Sequence, residues 1–366
     1  MTAGGGTVLV TGAGGPLGAN LTRSLRRALA RPRLIGTDAN RWHLPLSLSD
    51  ATYLVPPARR RDDYAAALRE ICARESVDVL VPTHPVEVRA VCELRDAGRL
   101  PDGAGTALPD TAVVETADDK AATHARLDRA GVPVPKSALL GGPEDLERAW
   151  LELGEGARTV WVRGSGAPGL GIGGAALPCR DPRVARAWIE HHGGWGRMAA
   201  SEYLPGANLT WMAVFDRGAL LAAGTRERLE YVLPHVSPSG VTGAPAVTRT
   251  VDRPDVADIG ERAVRALDVE PHGAYFADLK EDAEGRPRVT EVNAGRCGTT
   301  VEFYSAAGCN FPWLLVQLAR GEHPAPLADP NRAVETGLYW VRTLDCGPVL
   351  VREEAFAAFP AAGPAG

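Results

Sequence analysis

At 366 residues the chain is long enough for two or three subdomains with substantial cores. A hydrophobic fraction of 45%, a charged fraction of 23% and a formal net charge of -5 argue against nucleic acid as a partner, and no stretch approaches the roughly 18 apolar residues of a membrane span. The six cysteines carry no C-x-x-C spacing, which fits reduced structural thiols in a cytoplasmic protein better than a disulfide framework or a zinc site.

In chain order, residues 7–11 (TVLVT) read as a buried strand, followed by a glycine turn and a helix whose apolar stripe is Leu17, Leu21, Leu25 and Leu29. A second strand at 33–37 ends at Asp38. DDYAAALREICARES repeats the helical pattern through Tyr64, Leu68 and Ile71, and VDVLVP at 77–82 is another apolar strand. This alternation predicts a parallel α/β layer over about the first 110 residues. The proline- and glycine-rich stretch GRLPDGAGTALPD at 98–110 marks a boundary.

Beyond it the order changes. A helix is expected from 117 to 130, closed by Gly131, with Thr116 and Asp119 as a Thr-x-x-Asp capping signal that puts Lys120 in the first turn. RTVWVRGSGAPGLGIGGAAL at 158–177 reads as two strands joined by a glycine-rich loop, and MAASEYLPGANLTWMAVFDRGALLAAGT at 198–225 as several antiparallel strands. A helix at 255–267, the strand pair GAYFADL and RVTEVN, and a helix over 311–320 complete an α+β region, and FAAFPAAGPAG reads as a frayed tail.

Two motifs carry chemistry. The first is Thr11-Gly12-x-x-Gly15-x-x-Gly18, after a strand and before a helix, with Asp38 twenty residues past the last glycine. It satisfies much of the dinucleotide fingerprint, and it equally describes a tight turn that needs small residues for packing. A short-chain dehydrogenase would also need a Tyr-x-x-x-Lys pair, and none of the seven tyrosines has a lysine four residues on.

The second is the segment FADLKEDAEGRPRVTEVN. It reads as a hairpin with a polar turn near 283–286, and symmetric pairing about that turn sets Asp278 opposite Glu291. Glu291 and Asn293, two apart on one strand, point the same way. Like charges directly opposed across a ladder destabilise it, so something positive is expected between them unless both lie on a solvated face. Two carboxylates and an amide oxygen are hard ligands, best matched to Mg²⁺, with Mn²⁺ as an alternative.

These residues, with DKAATHARLDRAGVPVPKS and SEYLPGANLTWMAVFDRG before them, resemble the ATP-grasp superfamily, in particular its carbamoyl-phosphate-synthase-like branch. VLVTGAGGPLGANLTRSLR, IGTD, ATYLVPPA and VDVLVPTHPVE are similar to that branch's pre-ATP-grasp domain. The resemblance runs from about residue 7 to 325. It implies a mixed α/β and α+β fold: a Rossmann-like domain at 1–110, a small ATP-grasp subdomain with its linking helix at 111–202, a larger subdomain with the metal site at 203–330, and an extension and tail at 331–366.

By resemblance, Lys120 and Arg163 contact ATP phosphates, and the loop at 164–175, with Gly169 and Gly171, covers them. Glu202 and the backbone about Tyr203 and Leu204 read adenine. Asn208 stands where the family usually has a ribose-binding glutamate, so charge assistance is lost there. Asp278, Glu291 and Asn293 match the metal positions, and Arg296 lies near the reacting phosphate. Arg296, Arg163 and Lys120 are thus the expected catalytic set. The implied activity is ADP-forming ligation: a small-molecule carboxylate, activated as an acyl phosphate, is joined to an amine or similar nucleophile of amino-acid or peptide-like type. Arg226, Arg228, Glu230 and His235, with Arg296 and Thr299, are candidate substrate contacts. Neither nucleic acid nor membrane is expected as a partner, and a homodimer stays open. A nucleotide-binding regulator or scaffold is the alternative, with an NAD(P)-dependent oxidoreductase behind it.

Overall fold

The computed structural model describes residues 5–153, 159–165, 175–240, 244–343, 349–352 and 354. Its first sheet follows from short apolar strands, those at Thr7–Val10 and Val79–Val81 almost wholly buried and the edge strand at Ala51–Leu54 only partly so. These are β1 (Thr7–Val10), β2 (Arg33–Asp38), β3 (Ala51–Leu54) and β4 (Val79–Val81), all parallel in the order β3-β2-β1-β4. The helices α1 (Pro16–Arg26), α2 (Arg61–Glu75) and α3 (Pro85–Asp96) connect or follow them. Leu17, Leu21 and Leu25 of α1 are buried, but the helix ends at Arg26 and Leu29 is fully exposed, so the expected apolar stripe stops one turn early.

The single helix expected at 117–130 is two, α4 (Thr111–Asp118) and α5 (Lys120–Arg129). Asp119 between them is extended (φ -96, ψ 103), and its carboxylate accepts the Ala122 N–H at 3.0 Å. Asp119 is therefore the cap. Thr116 instead turns its hydroxyl back onto the Ala112 carbonyl at 2.8 Å, as threonine inside a helix commonly does.

Next comes a small antiparallel sheet, in the order β5-β8-β6-β7, from β5 (Ser137–Leu139), β6 (Val160–Gly164), β7 (Leu177–Cys179) and β8 (Met198–Glu202). The helices α6 (Pro143–Leu153) and α7 (Pro182–His191) bury Leu146, Ala149, Ala185 and Ile189 against it. The large sheet contains β9 (Asn208–Asp216), β10 (Ala219–Tyr231), β11 (Pro245–Thr250), β12 (Gly273–Glu281) and β13 (Pro287–Ala294), with α8 (Pro254–Leu267) packed on it. After α9 (Val301–Ala306) and α10 (Phe311–Ala319), the strands β14 (Leu338–Val341) and β15 (Val349–Arg352) extend its far edge, giving the order β13-β12-β9-β10-β11-β14-β15.

The strands expected at 198–225 thus divide between two sheets. The chain crosses from one to the other between Glu202 and Asn208. One apolar cluster joins the first and large sheets through Leu17, Leu21 and Leu25 on one side and Met212, Val214 and Phe303 on the other. No helix among the described residues is long and apolar enough to cross a membrane.

Candidate active site

The hairpin of β12 and β13 sets Asp278 opposite Glu291. A bulge makes this register possible: Leu279 pairs with Val289, the next pair is Asp278 with Glu291, and Thr290 is the extra residue. The Thr290 hydroxyl donates to the Asp278 carbonyl at 3.0 Å and ties the bulge down.

Positive charge reaches the two acids from separate elements. Arg228 on β10 pairs with Asp278, whose Oδ1 also accepts the Thr210 hydroxyl at 2.8 Å. Lys120, the first residue of α5, lies 3.0 Å from Glu291. A cation at a helix N-terminus opposes the macrodipole by about 0.3–1 kcal/mol, and Glu291 offsets that. The Asn293 amide N–H donates to Glu291 Oε1 at 2.9 Å, while Arg296 donates to the Asn293 amide oxygen and lies over the Phe276 ring at 5.1 Å.

Burial governs the ionisation of this group. It lowers the Lys120 and Arg163 pKa values, with Glu291 opposing in both cases. Burial alone would raise the Asp278 pKa, but the Arg228 guanidinium overrides it and holds the carboxyl below its usual range. His124, one turn along α5 from Lys120, is driven by burial to about 4; its Nε2 lies 3.1 Å from the Thr290 carbonyl, so the ring is neutral at pH 7 and donates there.

The donor set suits a hard divalent cation. Asp278 and Glu291 face each other with Asn293 alongside, and both side-chain bonds to Asp278 fall on Oδ1. Among the described residues no three His, Cys, Asp or Glu side chains gather for a metal, and the set here is two carboxylates and an amide.

Two cavities adjoin the hairpin. One of about 220 Å³ is lined by Trp161, Glu202, Tyr203, Leu204, Asn208 and Lys280, and reaches Asp278 and Glu291. Glu202 closes β8: its N–H donates to the Lys136 carbonyl at 2.9 Å, and its carboxylate accepts the Lys136 N–H at 3.3 Å. The other cavity, about 480 Å³, holds Lys120, His124, Lys136 and Ser165, and Arg163 lines both. All three lysines of the chain therefore line this cleft. Lys136 and Lys280 are missing from the residues expected from the sequence, although the rarity of lysine in an arginine-rich chain was a usable signal. Gly169 and Gly171 lie outside the described residues.

A third cavity, about 560 Å³, opens at the glycine turn, where Gly12, Gly15, Asp38 and His84 face Arg296 and Thr299. The turn's own chemistry is structural. A Cβ on Gly18 would come 2.3 Å from the Gly12 carbonyl, and the Asp38 oxygens accept the N–H groups of Gly14 (3.2 Å) and Asn40 (2.8 Å).

The remaining substrate candidates separate. Arg226 is buried on the same face of β10 as Arg228, Thr299 is with Arg296, and Glu230 and His235 are exposed and line none of these cavities. Burial drives the Cys297 thiol to about 12, which leaves it an inert core residue beside Arg296.

No family model matches the sequence, and no curated protein matches it either. Solved structures do. A carboxyaminoimidazole ribonucleotide synthase from Aspergillus clavatus, complexed with ATP, is 16% identical with a TM-score of 0.66, over 93% of this chain and 82% of its own. An L-amino acid ligase from Bacillus licheniformis is 14% identical with a TM-score of 0.62, over 91% and 78%. The biotin carboxylase domain of the Hydrogenobacter thermophilus 2-oxoglutarate carboxylase, in complex with MgADP, ADP and bicarbonate, is 15% identical with a TM-score of 0.63, over 92% and 73%. The chain has the ATP-grasp fold.

Proposed function

We propose that this chain is an ATP-dependent ligase that activates a small-molecule carboxylate as an acyl phosphate and joins it to an amine. One observation carries the reading: Asp278 and Glu291, directly opposed on a hairpin, meet Lys120 and Arg163 in the cleft that Glu202, Tyr203 and Leu204 also line. In a solvated surface ladder neither Lys120 nor Arg163 would be buried beside the acids.

In this reading the nucleotide's base lies along Glu202, Tyr203 and Leu204, with Asn208 at the ribose. Lys120, Lys136 and Arg163 neutralise the phosphates. Asp278, Glu291 and Asn293 would hold Mg²⁺, which when bound supplies charge neutralisation at the phosphate oxygens. A carboxylate oxygen of the acid bonds to the γ-phosphorus while the bond to the β,γ-bridging oxygen breaks and ADP leaves with that electron pair. The amine nitrogen then attacks the acyl carbon, orthophosphate departs, and the amine loses a proton to solvent. Phosphoryl transfer asks the protein chiefly to position groups and spread charge, and Arg296, tethered to Asn293, is placed for the second task. The similarity to an L-amino acid ligase favours amino acids as the first substrates to try.

The test is ADP release from Mg²⁺-ATP across a matrix of acids, bicarbonate included, and amines. Release that needs both an acid and an amine supports ligation. Tight ATP binding with no turnover anywhere in the matrix favours a nucleotide-binding regulator.

A further inference from the structure

Several buried donors around β10 lack an acceptor of ordinary hydrogen-bond geometry. Arg226 Nε and Nη1, Arg228 Nε, and the hydroxyls of Tyr231, Thr248 and Tyr304 are all buried without a hydrogen-bond partner. Elsewhere in a folded chain such atoms are rare and scattered. These six atoms gather in one cluster. Arg226 and Arg228 are two apart on β10 and so share a face, and Thr248 on β11 is the cross-strand partner of Arg228. Tyr304 of α9 packs over Gly224 on the same strand, where a Cβ would come 3.1 Å from its ring. The Tyr304 hydroxyl lies against Arg226 and the Tyr231 hydroxyl against Arg228, so each guanidinium has a neutral phenol beside it, and Asp278 is the carboxylate within reach of both.

The charge does not balance. The cluster contains two guanidinium groups and one carboxylate, Asp278, whose Oδ1 is already taken by Arg228 and Thr210. Arg226 is 3% exposed and, among the described residues, forms no ion pair of its own; the nearby Asp278 is engaged by Arg228. Burying an unpaired cation is among the most costly arrangements a protein can contain, and its usual resolution is an anion that completes the site. The 220 Å³ cavity reaches the cluster at Arg228, Tyr231 and Asp278, with Arg226 and Tyr304 buried behind them.

We propose that Arg226, Arg228, Tyr231 and Tyr304 form an oxyanion subsite for the carboxylate of the acid substrate. The naming of the occupant rests on the ligase reading above; the existence of an anion site does not. Arginine and phenol donors suit a planar carboxylate, and the position beside Asp278 puts that carboxylate next to the metal-binding face.

The test uses acetate as the probe. Thermal midpoints of the wild-type chain and of Arg226→Met and Tyr304→Phe are measured without nucleotide in chloride-free buffer, with sodium acetate replacing sodium methanesulfonate at constant ionic strength. The wild type should gain stability saturably with acetate. Arg226→Met should have the higher midpoint without acetate, since it removes an uncompensated buried charge, and should not respond to the anion. Tyr304→Phe should raise the half-saturating acetate concentration at least fivefold, and it decides the matter if the methionine variant does not fold. A wild type indifferent to acetate, or variants that respond as it does, overturns the subsite. If the acetate response is lost in the variants yet no acid supports ADP release, the subsite stands and the ligase reading falls.

Discussion

A half-buried and a buried aspartate on one hairpin, four residues apart, live in opposite kinds of environment. At the turn, Asp282 is saturated locally. Its Oδ1 accepts the N–H groups of Glu284 (3.1 Å) and Arg286 (2.9 Å), and its Oδ2 accepts the guanidinium groups of Arg286 (2.9 Å) and Arg288 (3.0 Å). At the cleft, Asp278 draws its partners from β9 and β10, about 70 and 50 residues away in sequence, and both bind a single oxygen. A carboxylate that closes a turn spends all its hydrogen-bonding capacity on its own loop. One meant for a ligand is held from a distance and keeps capacity in reserve.

Substitution should separate the two. Glu291→Gln, which preserves shape and removes charge opposite Asp278, should lower ATP turnover by roughly 100-fold or more while the thermal midpoint stays within a few degrees. Steady-state ADP release and a melting curve on the same sample check both halves; unimpaired turnover would mean the acidic pair does not serve catalysis. Lys120→Met comes next, with an expected loss of about 10- to 100-fold in kcat/KM for ATP, because one of several phosphate-facing cations is gone and Glu291 loses its partner. A loss confined to kcat/KM for the acid would move Lys120 out of the phosphate site.

His124 gives a smaller and purely pH-linked effect. Its folded pKa of about 4 lies below the unfolded 6.5, so the unfolded chain binds the extra proton between those values and stability falls as pH drops from about 6.5 to 4. The size of that loss is up to about 3 kcal/mol. Denaturant unfolding of His124→Gln should lack this slope. If both proteins show the same slope, the imidazole is not buried neutral.

Much of the hairpin was legible because a two-residue period and a turn centre fix which side chains oppose. The symmetric pairing found Asp278 and Glu291 without revealing that a bulge at Thr290 delivers it. Lys120 was legible from its cap, although the capping role belongs to Asp119 rather than Thr116. What stayed hidden depends on separations no local pattern encodes. The strands β8 and β9 are six residues apart and in different sheets, and Tyr304 meets Arg226 only because α9 folds back over Gly224. Glu230 and Arg228 look equivalent in the sequence, yet β10 carries a bulge after Arg228 that leaves one in the cleft and the other exposed.

The smallest effect belongs to the turn. Asp282→Asn should leave ATP turnover within about twofold of wild type and cost about 1–3 kcal/mol, since an amide cannot accept on both sides and leaves the Arg286 and Arg288 groups short of an acceptor. Burial by itself would raise the Asp282 pKa, but the Arg286 N–H and the two guanidinium groups pull it down to about 2. With the folded value depressed, the contribution is complete above the unfolded value near 3.8 and disappears as pH falls through about 2. The gap between wild-type and Asp282→Asn midpoints should therefore be constant from pH 7 to 5 and shrink between pH 4 and 2. A gap that widens toward acid would reverse the sign of the argument and make Asp282 a strained carboxylate rather than a satisfied one. Glu291→Gln, measured beside it, should show the converse profile, with activity lost at every pH and no acid-dependent gap of that kind.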